Sequence, residues 1–219
     1  MHTSEEIFSE SLTGIPDNFR SDLLNTFNAN VRNFREGKWE PAELNGGKFC
    51  EVVYSILRGH VDGVFPGKPR KPTNFLKACQ ELEGADSQIF PRSVRVQIPR
   101  LLIALYEIRN NRNVGHVGGD VDPNHMDATL VLETSKWILA ELIRLFHRLP
   151  TTKATALVEL ITERTNPLIW QKGDKKRVLN PGLSAKDKTL AVLHSCVSGV
   201  SSGQLCEWVE YSNIGMFRK

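Results

Sequence analysis

The 219 residues allow one large or two small domains, and 40% hydrophobic with 24% charged residues is ordinary for a globular protein. With 28 basic and 25 acidic residues the net charge is +3, so a nucleic acid would have to be bound by local patches. The N-terminal MHTSEEIFSESL lacks the pattern of a signal peptide, and no run of about 18 apolar residues occurs. These features favour a cytoplasmic protein without a membrane span.

The positions of the cysteines predict free thiols and not metal ligands. They are far apart in the sequence, each within an apolar helical pattern, and no pair has the spacing of zinc ligands. We therefore expect Cys50, Cys79, Cys196 and Cys206 to be reduced and buried.

Apolar residues recur every three or four positions in the first third of the chain, which predicts helices. A first helix begins at Pro16, and a second follows Gly46 and Gly47 and ends near Gly63. The segment PGKPRKPTN is a proline-rich loop, because proline lacks an N–H and the residue before it resists helix. A short helix is predicted around residues 75–82.

Two more helices complete the first 149 residues. One begins near Pro91 or Ser93 and contains Pro99, which either kinks it or marks its first turn. The other begins after Asp122 as N-cap, with Pro123 at the first helical position, and ends before Pro150. No convincing strand pattern occurs in residues 1–149, so these residues are predicted to form a helical bundle around one core.

Residues 150–219 predict a small C-terminal domain. A helix near residues 154–163 is followed by LIWQKGDKKRVL, which is typical of two short strands around a turn. Ser184, Ser201 or Ser202, and Ser212 are candidate caps for three helices, the last cut short at Lys219. The pattern resembles a truncated, partial winged-helix domain. The fold class is therefore mainly α, with a small helical domain after the bundle.

The stretch RNNRNVGHVGGDVDPNH, residues 109–125, carries the candidate site. If the preceding helix continues through residue 116, Arg109 and His116 lie within about 20° of each other on one face. That face continues the apolar stripe of the helix, so the two side chains point towards the bundle or an interface and not towards solvent.

A permanently charged arginine beside a histidine that titrates near neutrality suits cleavage of an RNA phosphodiester by its own 2'-hydroxyl. The histidine transfers protons, and the arginine holds the phosphoryl oxygens and their developing charge. This reaction needs no metal and no cofactor.

Arg109, Asn110, the residues NRNVG and then His116, near the end of a bundle helix, resemble the motif of the HEPN ribonucleases. With GGKFCEVVYSIL, they make residues 1–149 similar to HEPN members of the prokaryotic abortive-infection and toxin type. The resemblance implies that Arg109, Asn110 and His116 are catalytic. It also implies a homodimer with a composite site, an RNA substrate, and an antitoxin or another defence-system protein as partner. Arg112 and Asn113 are candidates for contacting the substrate.

Alternatives remain open. The motif could be structural, or the fold could be a non-catalytic interaction or regulatory module that binds protein or nucleic acid. His116, Asp120, Asp122 and His125 could instead hold a metal, although their spacing matches no known pattern.

Three further features allow more than one reading. Glu51 could pair with Arg109 or assist the site. Two basic clusters could follow an RNA backbone or simply be solvated loops. These clusters are Lys68, Arg70, Lys71 and Lys172, Lys175, Lys176, Arg177.

Overall fold

The computed structural model describes residues 12–114, 121–147, 150–161, 168–172, 175–196, 199–211 and 215. Most of these residues are helical, which confirms the predicted mainly α fold. The chain divides into two compact units, residues 1–158 and 159–219. Each unit has its own buried apolar residues.

Long helices make up most of the first unit. They are α1 (Asp17–Arg35), α2 (Trp39–Asp62), α3 (Phe75–Glu81), α4 (Ile98–Asn111), α5 (His125–His147) and the first part of α6 (Thr151–Ile161). A 3₁₀ turn, Leu82–Gly84, follows α3, and a π-helical turn, Ser93–Gln97, precedes α4. Helix α2 packs against α1, α4 and α5 and is therefore the central element of this unit.

The core of the first unit lies around α2. The ring of Phe27 on α1 meets that of Phe49 on α2 with 6.1 Å between centroids, and both side chains are fully buried. Leu102 on α4 and Leu139 on α5 are also fully buried. Burial of a side chain of this size stabilises the fold by about 1.5–3 kcal/mol, so these residues hold the helices together.

The start predicted for the second helix is wrong. Helix α2 begins at Trp39, and Gly46 and Gly47 lie inside it. A Cβ on Gly46 would overlap Cγ1 of Val131 on α5, and one on Gly47 would lie 2.5 Å from Cγ of Arg109 on α4. Glycine costs a helix about 1 kcal/mol relative to alanine, and here close packing of two neighbouring helices offsets that cost.

Helix α4 does not continue through residue 116, which was the condition for Arg109 and His116 to share one helical face. Its last residue is Asn111, Arg112 is the C-cap, and Asn113 has a φ of 53°. Asparagine is among the few residues that enter this left-handed region readily, so it terminates a helix much as glycine does. The stripe that would have placed Arg109 and His116 on one continuous helical face is therefore interrupted. Pro99 lies in the first turn of α4, one of the two predicted alternatives.

The N-cap predicted for α5 is also wrong. The helix begins at His125, and the Oδ1 atom of Asn124 accepts a hydrogen bond of 3.0 Å from the backbone N–H of Asp127. Nδ2 of Asn124 donates in return to Oδ2 of Asp127 at 2.8 Å. This reciprocal pair of hydrogen bonds resembles a capping box, so Asn124 and not Asp122 is the N-cap of α5. The helix ends at His147, before Pro150 as predicted.

The second unit contains the predicted hairpin. Strand β1 (Ile169–Lys172) pairs antiparallel with β2 (Lys175–Val178), with Trp170 opposite Arg177. Helices α7 (Ala185–His194) and α8 (Ser202–Val209) follow. The buried side chains of Val178, Val192 and Val209 form the core, so the hairpin and both helices share one small apolar centre.

The predicted caps of these two helices are confirmed. The hydroxyl of Ser184 accepts from the backbone N–H of Asp187 at 3.1 Å, and that of Ser201 accepts from Gln204 at 3.3 Å. Ser201 and not Ser202 is therefore the cap of α8. Residues 212–214 and 216–219, which carry most of the predicted third helix, lie outside the described residues.

The structure also bears on the predictions about membrane spans and cysteines. Within the described part of the chain, no helix is both long and apolar enough to cross a membrane. The four cysteines are free thiols, and all are buried except Cys196, which is partly exposed.

Candidate functional site

Arg109 and Asn110 lie in the last turn of α4, and both are partly buried. The guanidinium Nη1 of Arg109 donates to Oδ1 of Asn110 at 2.8 Å. Its Cζ lies 5.6 Å from the ring centroid of Tyr106, which is within range of a cation–π interaction. The guanidinium is therefore oriented by an amide and by an aromatic ring of the same helix.

The packing of α2 against α4 places this arginine. Its aliphatic stem fills the space left by the missing side chain of Gly47. Long cationic side chains often bury their stems in this way while the charged end stays accessible. Gly47 in the sequence NGGKFC thus contributes to the candidate site, because it allows α4 to approach α2 closely.

Glu51 makes its contact with Tyr106. The phenol donates to Oε1 of Glu51 at 2.7 Å. Burial first, and then this hydrogen bond to a carboxylate, raise the pKa of Tyr106 above its usual value. Glu51 therefore bonds to the tyrosine whose ring lies beside the guanidinium of Arg109.

Arg112 and Asn113, the predicted substrate contacts, take part in interactions within the fold. Nε of Arg112 lies 3.6 Å from Oδ2 of Asp127, and Nδ2 of Asn113 donates to Oδ1 of Asp122 at 2.8 Å. Both contacts join the end of α4 to residues at the start of α5. They fix the two ends of the segment that carries His116.

His116 itself lies outside the described residues, as do all of residues 115–120. Asp120, which the alternative metal site needs in addition to His116, also lies outside the described residues. Of its other members, Asp122 accepts from Asn113, and the ring of His125 packs edge-on against Trp39 with 5.1 Å between centroids. Within the described residues, no group of three or more His, Cys, Asp or Glu side chains is placed to hold a metal.

Glu43 is a buried carboxylate beside these residues that the sequence did not single out. Its side chain is fully buried, and Oε1 accepts from the backbone N–H of Asn124 at 3.1 Å. Its Oε2 has no hydrogen-bond partner among the residues that the structure describes. Burial, and less strongly the nearby Asp127 carboxylate, raise the pKa of Glu43 to about 7. Glu43 thus titrates near neutrality while it holds the residue that caps α5.

The helical spacing of Glu43, Gly47 and Cys50 would have placed Glu43 on the inner face of α2. The inner-face position of Glu43 was missed because α2 was predicted to begin after Gly47. A correct start at Trp39 would have revealed a carboxylate facing the core.

A pocket of about 290 Å³ adjoins the candidate arginine. Its walls include Lys71, Phe75, Tyr106, Glu107 and Asn110. The rings of Phe75 and Tyr106 stack with centroids 4.0 Å apart and planes 13° apart. Nζ of Lys71 lies 5.7 Å from the centroid of Tyr106, so this ring adjoins both Lys71 and Arg109.

The basic cluster in the second unit is partly used by the fold. Nζ of Lys176 donates to the backbone carbonyl of Ser195 at 2.6 Å, just beyond the C-terminus of α7. Nε of Arg177 pairs with Oε1 of Glu210 at 2.8 Å. A cation at a helix C-terminus is favourable, so Lys176 has a structural role.

Comparisons of the chain with protein-family models, with curated proteins and with solved structures found no significant match.

Proposed function

We propose that this protein is a metal-independent endoribonuclease in which Arg109, Asn110 and His116 act on an RNA phosphodiester. The observation that supports this most is the arrangement at the end of α4. The guanidinium of Arg109 is held by Asn110 and Tyr106, and the segment that carries His116 begins five residues beyond Asn110. The proposal combines this arrangement with the resemblance of residues 1–149 to the HEPN ribonucleases.

In the proposed reaction the imidazole of His116 accepts the proton of the 2'-hydroxyl, whose oxygen attacks the adjacent phosphorus. The bond from phosphorus to the 5'-oxygen breaks, and the imidazolium of His116 gives its proton to that oxygen as it leaves. The products are a 2',3'-cyclic phosphate and a 5'-hydroxyl. Arg109 binds the phosphoryl oxygens and stabilises their developing charge.

Asn110 orients the arginine in this mechanism. Guanidinium carries five N–H donors, and Asn110 accepts from one nitrogen. The planar fork that suits phosphate is thereby held in one direction before substrate binds. Such preorganisation removes part of the cost of positioning the group during the reaction.

The resemblance also supports a biological setting. HEPN proteins of this type imply a toxin or phage-defence effector that is restrained by an antitoxin or another partner, acts in the cytoplasm and dimerises around a composite site. The C-terminal unit, with its partial winged-helix pattern, is proposed to bind such a partner.

One observation favours a second candidate, a non-catalytic interaction module. Met126, Leu130 and Trp137 recur along α5 at helical spacing and are between 43% and 67% exposed. An exposed apolar line on a helix is typical of a protein-binding face. In this case α5 would bind a partner protein through these residues, and the protein would not cut RNA.

Cleavage of a mixed single-stranded RNA by the full chain tests the proposal. Arg109→Lys and His116→Ala should each reduce the rate at least 100-fold, because a point charge cannot replace a bidentate fork and alanine cannot transfer a proton. Arg100→Lys and His194→Ala are matched controls. Arg100 lies on the same helix but pairs with Glu83, and His194 ends α7 in the other unit. Equal cleavage by all five proteins would contradict the proposal.

A further inference from the structure

The pocket beside Asn110 combines apolar walls with polar groups. Phe75, Leu76, Ile103 and Tyr106 supply apolar surface, and Lys71, Glu107 and Asn110 are among its polar members. Its volume of about 290 Å³ lies at the small end of the range for ligand pockets. These properties suit a small, flat molecule that has apolar faces and a polar edge.

The pocket is next to the proposed site of cleavage. Asn110 lines the pocket and also accepts from the guanidinium of Arg109. Lys71, in the pocket wall, and Arg109 both lie within 6 Å of the centroid of Tyr106. A nucleotide whose phosphate meets Arg109 can therefore place its own base, or the next one, in the pocket.

The loop that carries Lys71 is held in place. The hydroxyl of Ser55 on α2 accepts from the backbone N–H of Arg70 at 3.0 Å, and its own proton is shared between the carbonyls of Glu51 at 2.8 Å and Arg70 at 3.2 Å. Nδ2 of Asn18 donates to the carbonyl of Gly67 at 2.9 Å. This wall of the pocket is thus formed before any ligand arrives.

The charged groups of the pocket differ in the hydrogen bonds that they can form with a base. The carboxylate of Glu107 accepts hydrogen bonds only, and the ammonium of Lys71 donates only. Nδ2 of Asn111 donates to Oε2 of Glu107 and so orients that carboxylate. Guanine offers two adjacent donors, N1–H and N2–H, to a single carboxylate, and its O6 accepts from a cation. The other bases offer no such pair of donors beside an acceptor.

We propose that this pocket binds a guanine base of single-stranded RNA, with Glu107 accepting from its N–H edge and Lys71 donating to O6. The proposal rests on the ribonuclease function, because it names the nucleotide that the same site selects. It assigns to Glu107 the role of a specificity-determining residue.

Nuclear magnetic resonance titrations of the full chain with the four 3'-mononucleotides test the pocket without requiring cleavage. Guanosine monophosphate should bind at least tenfold more tightly than the other three, with shifts at Tyr106 and Glu107. Glu107→Gln should remove this preference, since an amide cannot accept from both N–H groups. Glu133→Gln, on the exposed side of α5, is the control and should retain it. Equal binding of all four nucleotides, or binding of inorganic phosphate alone, would overturn the proposal.

Mapping of RNA cleavage sites separates the two proposals. Cuts next to guanosine in the native protein, and cuts without base preference in Glu107→Gln, support both. Cleavage that ignores guanosine and is unchanged in Glu107→Gln would overturn the base pocket and leave the ribonuclease proposal standing. Selective guanosine binding by a chain that never cuts RNA would overturn the ribonuclease and leave a guanosine-binding pocket.

Discussion

The stem of Arg109 packs directly on the backbone of Gly47, so closely that a Cβ at Gly47 would lie 2.5 Å from its Cγ. The two residues belong to α4 and α2, the helices whose contact positions the candidate site. The direction of the guanidinium therefore depends on a missing side chain 62 residues earlier in the sequence.

Gly47→Ala should displace Arg109 without unfolding the protein. The methyl group would push the flexible stem away from α2, and a shift of about 1 Å at a catalytic group can cost on the order of 100-fold in rate. Alanine also gains up to about 1 kcal/mol in helix propensity, so the free energy of unfolding should change little. RNA cleavage and urea denaturation measure the two effects. Gly84→Ala should leave the rate unchanged, because a Cβ there would meet no described atom within 4 Å other than those of its chain neighbours. A Gly47→Ala protein with full activity would contradict this account.

Glu43 should make stability depend on pH. Its pKa is raised to about 7 in the folded protein from 4.5, so the folded state binds the proton more tightly than the unfolded state. The resulting stabilisation is fully present below about pH 4.5 and is lost as the pH rises through 7, by up to about 3 kcal/mol. Glu43→Gln, which keeps an acceptor for Asn124 and has no charge to bury, should flatten this decline in urea denaturation. Glu133→Gln is the control. An identical decline in Glu43→Gln would show that other groups cause it.

Much of the fold was predictable because apolar spacing is a local property. Apolar spacing predicted the first helix and the short helix after the proline-rich loop, and equally local turn and capping residues predicted the hairpin and the caps Ser184 and Ser201. The start of α2 was not, because two glycines in sequence normally indicate a helix end. Only the packing of Val131 and Arg109 explains why they lie inside a helix.

The candidate site was predictable in composition but not in geometry. Arg109 was singled out by residue type and spacing and Asn110 by the resemblance to the HEPN motif, and the structure adds the contacts that orient the arginine. The partnership of Glu51 with Tyr106 and the burial of Glu43 depend on contacts 55 and 81 residues apart in the sequence. Whether α4 continues through residue 116 could not be decided from the sequence, because the left-handed conformation of Asn113 ends the helix.

The proposed composite site predicts complementation between inactive proteins. Arg109→Ala and His116→Ala should each be inactive alone, and a mixture that exchanges subunits should regain part of the activity, because one site then contains both native residues. Sedimentation should report a dimer, and sulfate or phosphate should strengthen it by neutralising arginines that face each other. A monomer that cuts RNA at the full rate would contradict the composite site and leave the reaction itself in place.

The most direct measurement of the central claim is the chemistry of the RNA ends after incubation with the purified full chain in excess EDTA. Attack by the 2'-hydroxyl predicts undiminished cleavage, 2',3'-cyclic phosphate and 5'-hydroxyl ends, and no cleavage of RNA whose 2'-hydroxyls are replaced by hydrogen. Loss of this cleavage in His116→Ala would assign the proton transfer to that residue. Cleavage that stops in EDTA and returns with a divalent ion, or 3'-hydroxyl ends, would contradict the account.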